Sequence, residues 1–160
     1  REIADAVRRN CYDESKGLFM NYAGAEKSSQ HANIMAILAD AIPAEKQREL
    51  FDKIISDKSL DQCTFYYRFY LTEAMRKVGA ADKYADSLDP WRDMLRIGLT
   101  TFAETPEPTR SDCHAWSSSP NYHLLSLVCG VNPGEYGFKS VRISASSNLS
   151  MERFPIRMEL

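Results

Sequence analysis

A group of chemically useful side chains lies on one short stretch of the sequence. Within thirteen residues it holds three carboxylates, an arginine, a histidine and a tryptophan: Glu104, Glu107, Arg110, Asp112, His114 and Trp116. A carboxylate can act as a general base toward water. Carboxylates beside an aromatic ring also suit a sugar, whose apolar face packs on the ring while its hydroxyls bond to charged groups. The composition of the stretch alone favours the plainer alternative, an acidic, proline-bearing loop that is only solvated surface.

Length and charge limit what kind of protein carries this stretch. The chain has 160 residues, 44% of them hydrophobic, which suits one ordinary domain with a real core. Twenty Lys and Arg against 22 Asp and Glu give no electrostatic reason to expect a nucleic-acid or membrane-surface partner. No apolar run approaches the roughly 20 residues that span a bilayer. Because residues 1–4 read as helix interior and no Met precedes them, we expect a piece of a longer protein without a signal peptide.

The four cysteines do not indicate a metal site. Their spacing is long and irregular, with no C-x-x-C pair, so zinc is not expected. We interpret Cys11, Cys63, Cys113 and Cys129 as buried free thiols, with a disulfide between Cys113 and Cys129 as the alternative.

Hydrophobic spacing predicts a helical chain that positions the acidic loop. We expect helices over residues 1–10, over 34–42 with Ser28 or Ser29 as cap, from Pro43 onward, over 63–78, over 81–97, and over 114–131 with a restart at Pro120. Gly79 and Gly98 are expected to end two of them. The stretch 99–112 has no helical period and is predicted to be a structured loop. Strand is expected only after Gly137, where residues 138, 141 and 143 begin an alternating pattern.

Three motifs give the chain a family resemblance. They are Gly98-Leu99-Thr100-Thr101-Phe102-Ala103-Glu104, then Asp112-Cys113-His114-Ala115-Trp116-Ser117 with Pro120-Asn121-Tyr122, and Gly137-Phe138-Lys139-Ser140-Val141-Arg142-Ile143. In these the chain resembles the bacterial α-L-rhamnosidases (glycoside hydrolase family 78, six-hairpin glycosidases), specifically the C-terminal part of their catalytic domain. The resemblance covers residues 1–145. One departure is Ala103, where many family members have Trp before the base, which puts the exact sugar preference in doubt.

The resemblance implies a fold and a domain organisation. The expected fold is mainly α: a partial (α/α)6 barrel, or α/α toroid, of helical hairpins with a short C-terminal β segment. Residues 1–132 would be the C-terminal part of the catalytic domain, and residues 133–160 a linker and the start of a β-sandwich. The family commonly acts in the periplasm or outside the cell.

The resemblance also implies an activity and site residues. The family cleaves terminal α-L-rhamnosyl linkages with inversion, which needs one carboxyl group as acid and one as base. The base maps onto Glu104, and His114 and Trp116 map onto a pair that lines the sugar pocket. The acid is expected upstream of Arg1, so the isolated chain is expected to be inactive. No cofactor and no metal is implied; the expected partner is a rhamnose-containing glycan or glycoside, and the chain is expected to self-associate through exposed barrel faces.

Each candidate has an alternative role. Glu104 could instead cap a helix or pair with Arg110, and Glu107 is the rival base or a substrate-binding residue. His114 could be satisfied by backbone at a helix start, and Trp116 could belong to the core. Tyr67, or its neighbour Tyr66, is expected to reach the cavity from a helix that otherwise packs.

Gln30 and His31 sit at a helix start that would face the cavity mouth, and we take Gln30 as a substrate-binding candidate. The rival interpretations of the whole chain are a non-catalytic helical module that binds carbohydrate or protein, and a different six-hairpin glycosidase.

Overall fold

The computed structural model describes residues 1–144, and within them the chain is mainly helical, as predicted. Two compact units form, the first from Arg1 to Gly79 and the second beginning at Ala80. Between residues 30 and 100, all of which are described, the structure contains no β-strand. No helix among residues 1–144 combines the length and apolar character that crossing a bilayer requires. The predicted domain boundary at residue 132 stays a prediction, and residues 145–160 lie outside the described part.

The first unit opens with a helix and a small hairpin. Helix α1 (Glu2–Cys11) leads into strands β1 (Tyr12–Asp13) and β2 (Leu18–Phe19), which pair antiparallel. The Asp13 carboxylate accepts hydrogen bonds from the N–H of Ser15 at 2.9 Å and the N–H of Lys16 at 3.1 Å. These bonds stabilise the turn between the two strands. The expectation that strand occurs only after Gly137 is therefore wrong. Strands of two residues are too short to show an alternating pattern in the sequence.

Three helices form the core of the first unit. They are α2 (Gln30–Leu38), α3 (Ala44–Ser56) and α4 (Phe65–Lys77), and α2 packs against both of the others. Ser29 caps α2 by accepting a hydrogen bond from the N–H of Ala32 at 3.2 Å, as one of the two predicted caps. The apolar side chains between these helices are almost completely buried: Ile34, Ile37, Phe51, Ile54, Phe65 and Met75.

Helix α2 is shorter than its hydrophobic spacing predicts. It ends at Leu38, because Asp40 adopts a left-handed conformation with a φ of 55°. The Asp40 carboxylate holds this turn by accepting hydrogen bonds from Gln47 Nε2 at 2.8 Å and Lys77 Nζ at 2.7 Å. Ala41 and Ile42 are still buried, so their helical spacing reflects burial in the turn rather than a longer helix. Pro43 is the N-cap residue of α3, one position before the first turn that was predicted for it, and it makes no side-chain capping hydrogen bond.

The second unit starts with short helices that lead to the acidic loop. A 3₁₀ turn (Ala81–Lys83) is followed by α5 (Tyr84–Ser87) and α6 (Asp89–Arg96). Gly79 and Gly98 end the helices before them with φ values of 68° and 82°, as predicted. Residues 99–114 then form a loop without regular structure, two residues longer than the predicted loop 99–112.

After the loop the chain is helical in short pieces and ends in a hairpin. A 3₁₀ turn (Ala115–Ser118), α7 (Ser119–His123) and a π turn (Leu124–Val128) replace the single restarted helix that was predicted. Strand β3 (Val131–Pro133) pairs antiparallel with β4 (Val141–Ile143). Strand β4 was predicted. The position of β3 was not, since Val131 was assigned to the preceding helix.

Candidate functional site

The loop from residue 101 to 114 is closed by backbone contacts between its two sides. The N–H of His114 donates to the carbonyl of Phe102 at 2.7 Å, and the N–H of Glu104 donates to the carbonyl of Ser111 at 2.9 Å. The Thr101 hydroxyl donates to a third carbonyl across the loop, that of Asp112. These bonds fix Glu104 opposite the segment that carries Arg110 and His114. Residues ten apart in sequence thereby become neighbours.

Glu104 is paired with Arg110 through both carboxylate oxygens. Arg110 Nε donates to Oε2 at 2.6 Å, and Nη2 donates to Oε1. Glu104 is 8% exposed, whereas the Arg110 side chain is 82% exposed. The pairing that the sequence analysis named as an alternative for Glu104 is therefore present. Its geometry is the two-point fork that guanidinium and carboxylate groups favour.

The ion pair keeps Glu104 ionised. The hydrogen bond from Arg110 holds the pKa of this carboxyl below its ordinary value; burial opposes the shift, while the charges of Arg110 and His114 add to it. The carboxylate is deprotonated at neutral pH, which is the state a general base needs, and its lowered pKa makes it a weaker base than an unpaired carboxylate.

His114 lies on the other side of Glu104. Its Nε2 is 3.7 Å from Oε1 of Glu104, and its ring centroid is 4.8 Å from that of Trp116. Its Nδ1 is buried and has no hydrogen-bond partner among residues 1–144. The imidazole ring of His114 therefore lies between the Glu104 carboxylate and the Trp116 indole.

Trp116 presents a half-exposed ring, 46% accessible, and so is not part of the core of this unit. Its position is set from α6, where Trp91 Nε1 donates to the carbonyl of Ser117 at 2.7 Å. An exposed indole held in place beside a histidine and a carboxylate is a surface on which a sugar face can pack.

Glu107 is not part of this cluster. It lies on the exposed turn of the loop between Pro106 and Pro108. The structure therefore brings together three of the predicted residues of the second unit, Glu104, His114 and Trp116, and leaves the rival base in solvent.

In the first unit, Gln30 is used inside the fold. It is 4% exposed; its Nε2 donates to the carbonyl of Ile54 and to Gln62 Oε1, both at 3.0 Å, and its Oε1 accepts from the N–H of Cys63 at 2.9 Å. This arrangement ties α2 to the end of α3 and the start of α4. It favours a structural role, and contact of Gln30 with substrate stays a prediction.

Tyr67 belongs to a half-buried aromatic group in the same unit. Its ring centroid is 4.3 Å from that of His31 and 5.2 Å from that of Tyr70. Burial raises the pKa of the Tyr67 hydroxyl and lowers that of the His31 ring, so both are neutral at pH 7. Of the two residues at the start of α2, Gln30 is buried and His31 is half-buried.

Comparison of folds relates the chain to a solved enzyme. A rhamnosidase from Klebsiella oxytoca with rhamnose bound matches 77% of this chain with a TM-score of 0.69 and 22% sequence identity. This chain has a rhamnosidase-like fold. It spans 26% of the length of that rhamnosidase. No family model matches the sequence, and no curated protein matches it.

All four cysteines are free thiols. Cys63 is buried as predicted, but Cys113 is exposed, so the interpretation of all four as buried thiols is wrong. Cys113 lies on the acidic loop, at an exposed position. Among residues 1–144, no group of three or more His, Cys, Asp or Glu is placed to hold a metal ion.

Arg110 is a residue of the site that the sequence does not predict as a member of it. The sequence analysis names Arg110 only as an alternative partner of Glu104, and not as a part of the proposed site. The available signal was the Pro-Glu-Pro segment at 106–108, which indicates a chain reversal between Glu104 and Arg110.

Proposed function

We propose that the chain is part of a glycoside hydrolase that cleaves terminal α-L-rhamnosyl linkages with inversion, with Glu104 as the general base. The observation that carries the proposal is the convergence of Glu104, His114 and Trp116 on one closed loop. The rhamnosidase-like fold supports it, and the partial (α/α)6 barrel is part of the same proposal. The substrate class is a rhamnose-containing glycan or glycoside, acted on in the periplasm or outside the cell.

In the proposed reaction, Glu104 takes a proton from a water molecule as that water attacks the anomeric carbon. The bond from this carbon to the leaving oxygen breaks, and a second carboxyl group protonates that oxygen. Trp116 packs against the sugar ring, and His114 bonds a hydroxyl. Glu107, Tyr67 and Gln30 remain proposed substrate contacts.

The second carboxyl group is proposed to come from a part of the parent protein that this chain does not span. The chain matches about a quarter of the solved rhamnosidase, and an inverting site needs its two carboxyl groups about 6.5–9.5 Å apart. Within the loop, Glu107 is the remaining glutamate, and it faces solvent.

The test of the function uses the parent protein and an aryl α-L-rhamnoside. Proton NMR during the first minutes should show the β-anomer of rhamnose as the initial product, because inversion at the anomeric carbon requires it. An initial α-anomer would mean retention and would exclude Glu104 as a base toward water in a single displacement. No release of rhamnose would reject the activity.

The 160-residue chain by itself should not hydrolyse the same substrate above background. General acid and base assistance are each worth about 100- to 10,000-fold, and the chain supplies only the proposed base. Incubation of the purified chain with the aryl rhamnoside measures this. Turnover that disappears in Glu104→Gln would show that the chain holds a complete site.

A specific observation favours a second candidate, a non-catalytic module that binds carbohydrate. Both oxygens of Glu104 accept hydrogen bonds from Arg110, so the carboxylate already has a structural partner. In that case Trp116 would bind sugar while Glu104 only closed the loop. Trp116→Ala would then weaken rhamnose binding, and Glu104→Gln in the parent would leave turnover unchanged.

We also propose that the chain self-associates through exposed apolar side chains. Helix α1 has no buried residue, and its Ile3, 81% exposed, lines an apolar groove with Val7 and Met35. Light scattering at high concentration should give a mass above the 18.2 kDa of one chain. Ile3→Ser should lower that mass, whereas Asn10→Ser, on an exposed position of the same helix, should not. A monomer at all concentrations would contradict the proposal.

A further inference from the structure

The ion pair at the loop joins two side chains with opposite exposure. The Glu104 side chain is 9% exposed and the Arg110 side chain is 82% exposed. The carboxylate is thus held by the fold, while the guanidinium reaches it from the solvent side. An exposed ion pair is ordinarily worth little, because two long side chains lose freedom and water screens the charges. In this pair the exposed Arg110 side chain loses conformational freedom, while the buried Glu104 side chain is already held by the fold.

The contact of Arg110 is specific to Glu104. Among residues 1–144, the hydrogen bonds and ion pairs of its side chain go to Glu104 alone. The backbone bond from the Glu104 N–H to the Ser111 carbonyl brings the preceding residue, Arg110, to the carboxylate. The backbone bond that closes the loop therefore also places Arg110 for its two-point contact with Glu104.

We propose that Arg110 is a positioning residue that orients the Glu104 carboxylate by its two-point contact, and that the acid limb of the activity of the site depends on this contact. The inference rests on the proposed role of Glu104 as the base. Arg110 itself touches neither water nor sugar in this role; it acts through Glu104. The fork fixes the plane of the carboxylate, and each oxygen keeps a lone pair on the side away from the guanidinium.

The direction of the pH effect follows from the groups that face Glu104. Among the described residues these are Arg110 and His114, and both favour the ionised carboxylate. With Arg110 present, Glu104 becomes protonated only when the pH falls through its lowered pKa. Without Arg110 the burial of Glu104 acts with less opposition, so protonation occurs at a higher pH. The acid limb of a reaction that needs the carboxylate must move in the same direction.

The experiment is a carbon NMR titration of the Glu104 carboxyl in the full 160-residue chain, assigned by the signal that disappears in Glu104→Gln. Arg110→Gln should raise the titration midpoint by about 1 pH unit or more. Arg110→Lys keeps the charge without the planar fork and should give an intermediate midpoint. Arg96→Gln removes the same charge from an exposed pair with Asp93 in the same unit and should leave the midpoint unchanged.

Two results would overturn the inference. An unchanged midpoint in Arg110→Gln would show that Arg110 does not control the carboxylate. A lysine variant equal to the wild-type chain would show that charge alone acts and that the two-point contact has no role. Failure of the proposed function is separate and appears as unchanged turnover of the Glu104→Gln parent, whatever the titration shows.

Discussion

Glu104→Gln in the parent hydrolase is expected to lower turnover of an aryl α-L-rhamnoside by about 100- to 10,000-fold, the usual value of general base assistance. The amide keeps the shape of the side chain and can hold a water molecule, but it cannot take that water's proton. Affinity for the sugar should remain largely unchanged, because the proposed contacts of Trp116 and His114 with the sugar stay in place. Initial rates and inhibition by rhamnose measure the two quantities separately.

Glu107→Gln is the matched control for this experiment. It makes the same chemical change on the same loop, three residues away, at an exposed position. Its effect on turnover should be mild. A large loss in Glu107→Gln with a small loss in Glu104→Gln would assign the base to Glu107 and would contradict the interpretation of the cluster.

Asn33→Ala should lower the free energy of unfolding of the first unit by about 3 kcal/mol, the range for breaking a buried hydrogen-bond network. Asn33 is completely buried. Its Oδ1 accepts from the N–H of Phe19 at 2.8 Å, and its Nδ2 donates to Phe19, Ser28 and Ser29 at 2.8–3.1 Å. Removal of the amide leaves the Phe19 N–H buried without a partner and detaches β2 from α2.

Hydrogen exchange of the α2 and β2 amides measures this loss within the first unit. The control is Asn10→Ala, where an exposed asparagine on α1 makes one bond, to the carbonyl of Ala6 at 2.8 Å. That change should stay within about 0.5 kcal/mol of the wild-type chain. A loss below 1 kcal/mol in Asn33→Ala would show that the network does not hold the hairpin to the helix.

The sequence by itself determined the features that depend on local rules. Gly79 and Gly98 end helices at the predicted places, because a left-handed residue stops the helical hydrogen-bond pattern and glycine adopts this conformation most readily. Ser29 caps α2, since its hydroxyl reaches a free N–H three residues on. The acidic loop was likewise located by its lack of period and its prolines. Each of these signals lies within a few residues of its effect.

Only the tertiary structure decided which side chains of the candidate site meet. Two glutamates on one loop cannot be ranked by type or spacing; the bonds of the 101–114 closure bury Glu104 and leave Glu107 outside. In the same way, Gln30 was placed correctly at a helix start, but its amide bonds Ile54 and Cys63, 24 and 33 residues away. A side chain's partner depends on where distant backbone groups come to lie, and that is set by the packing of whole elements rather than by any local pattern.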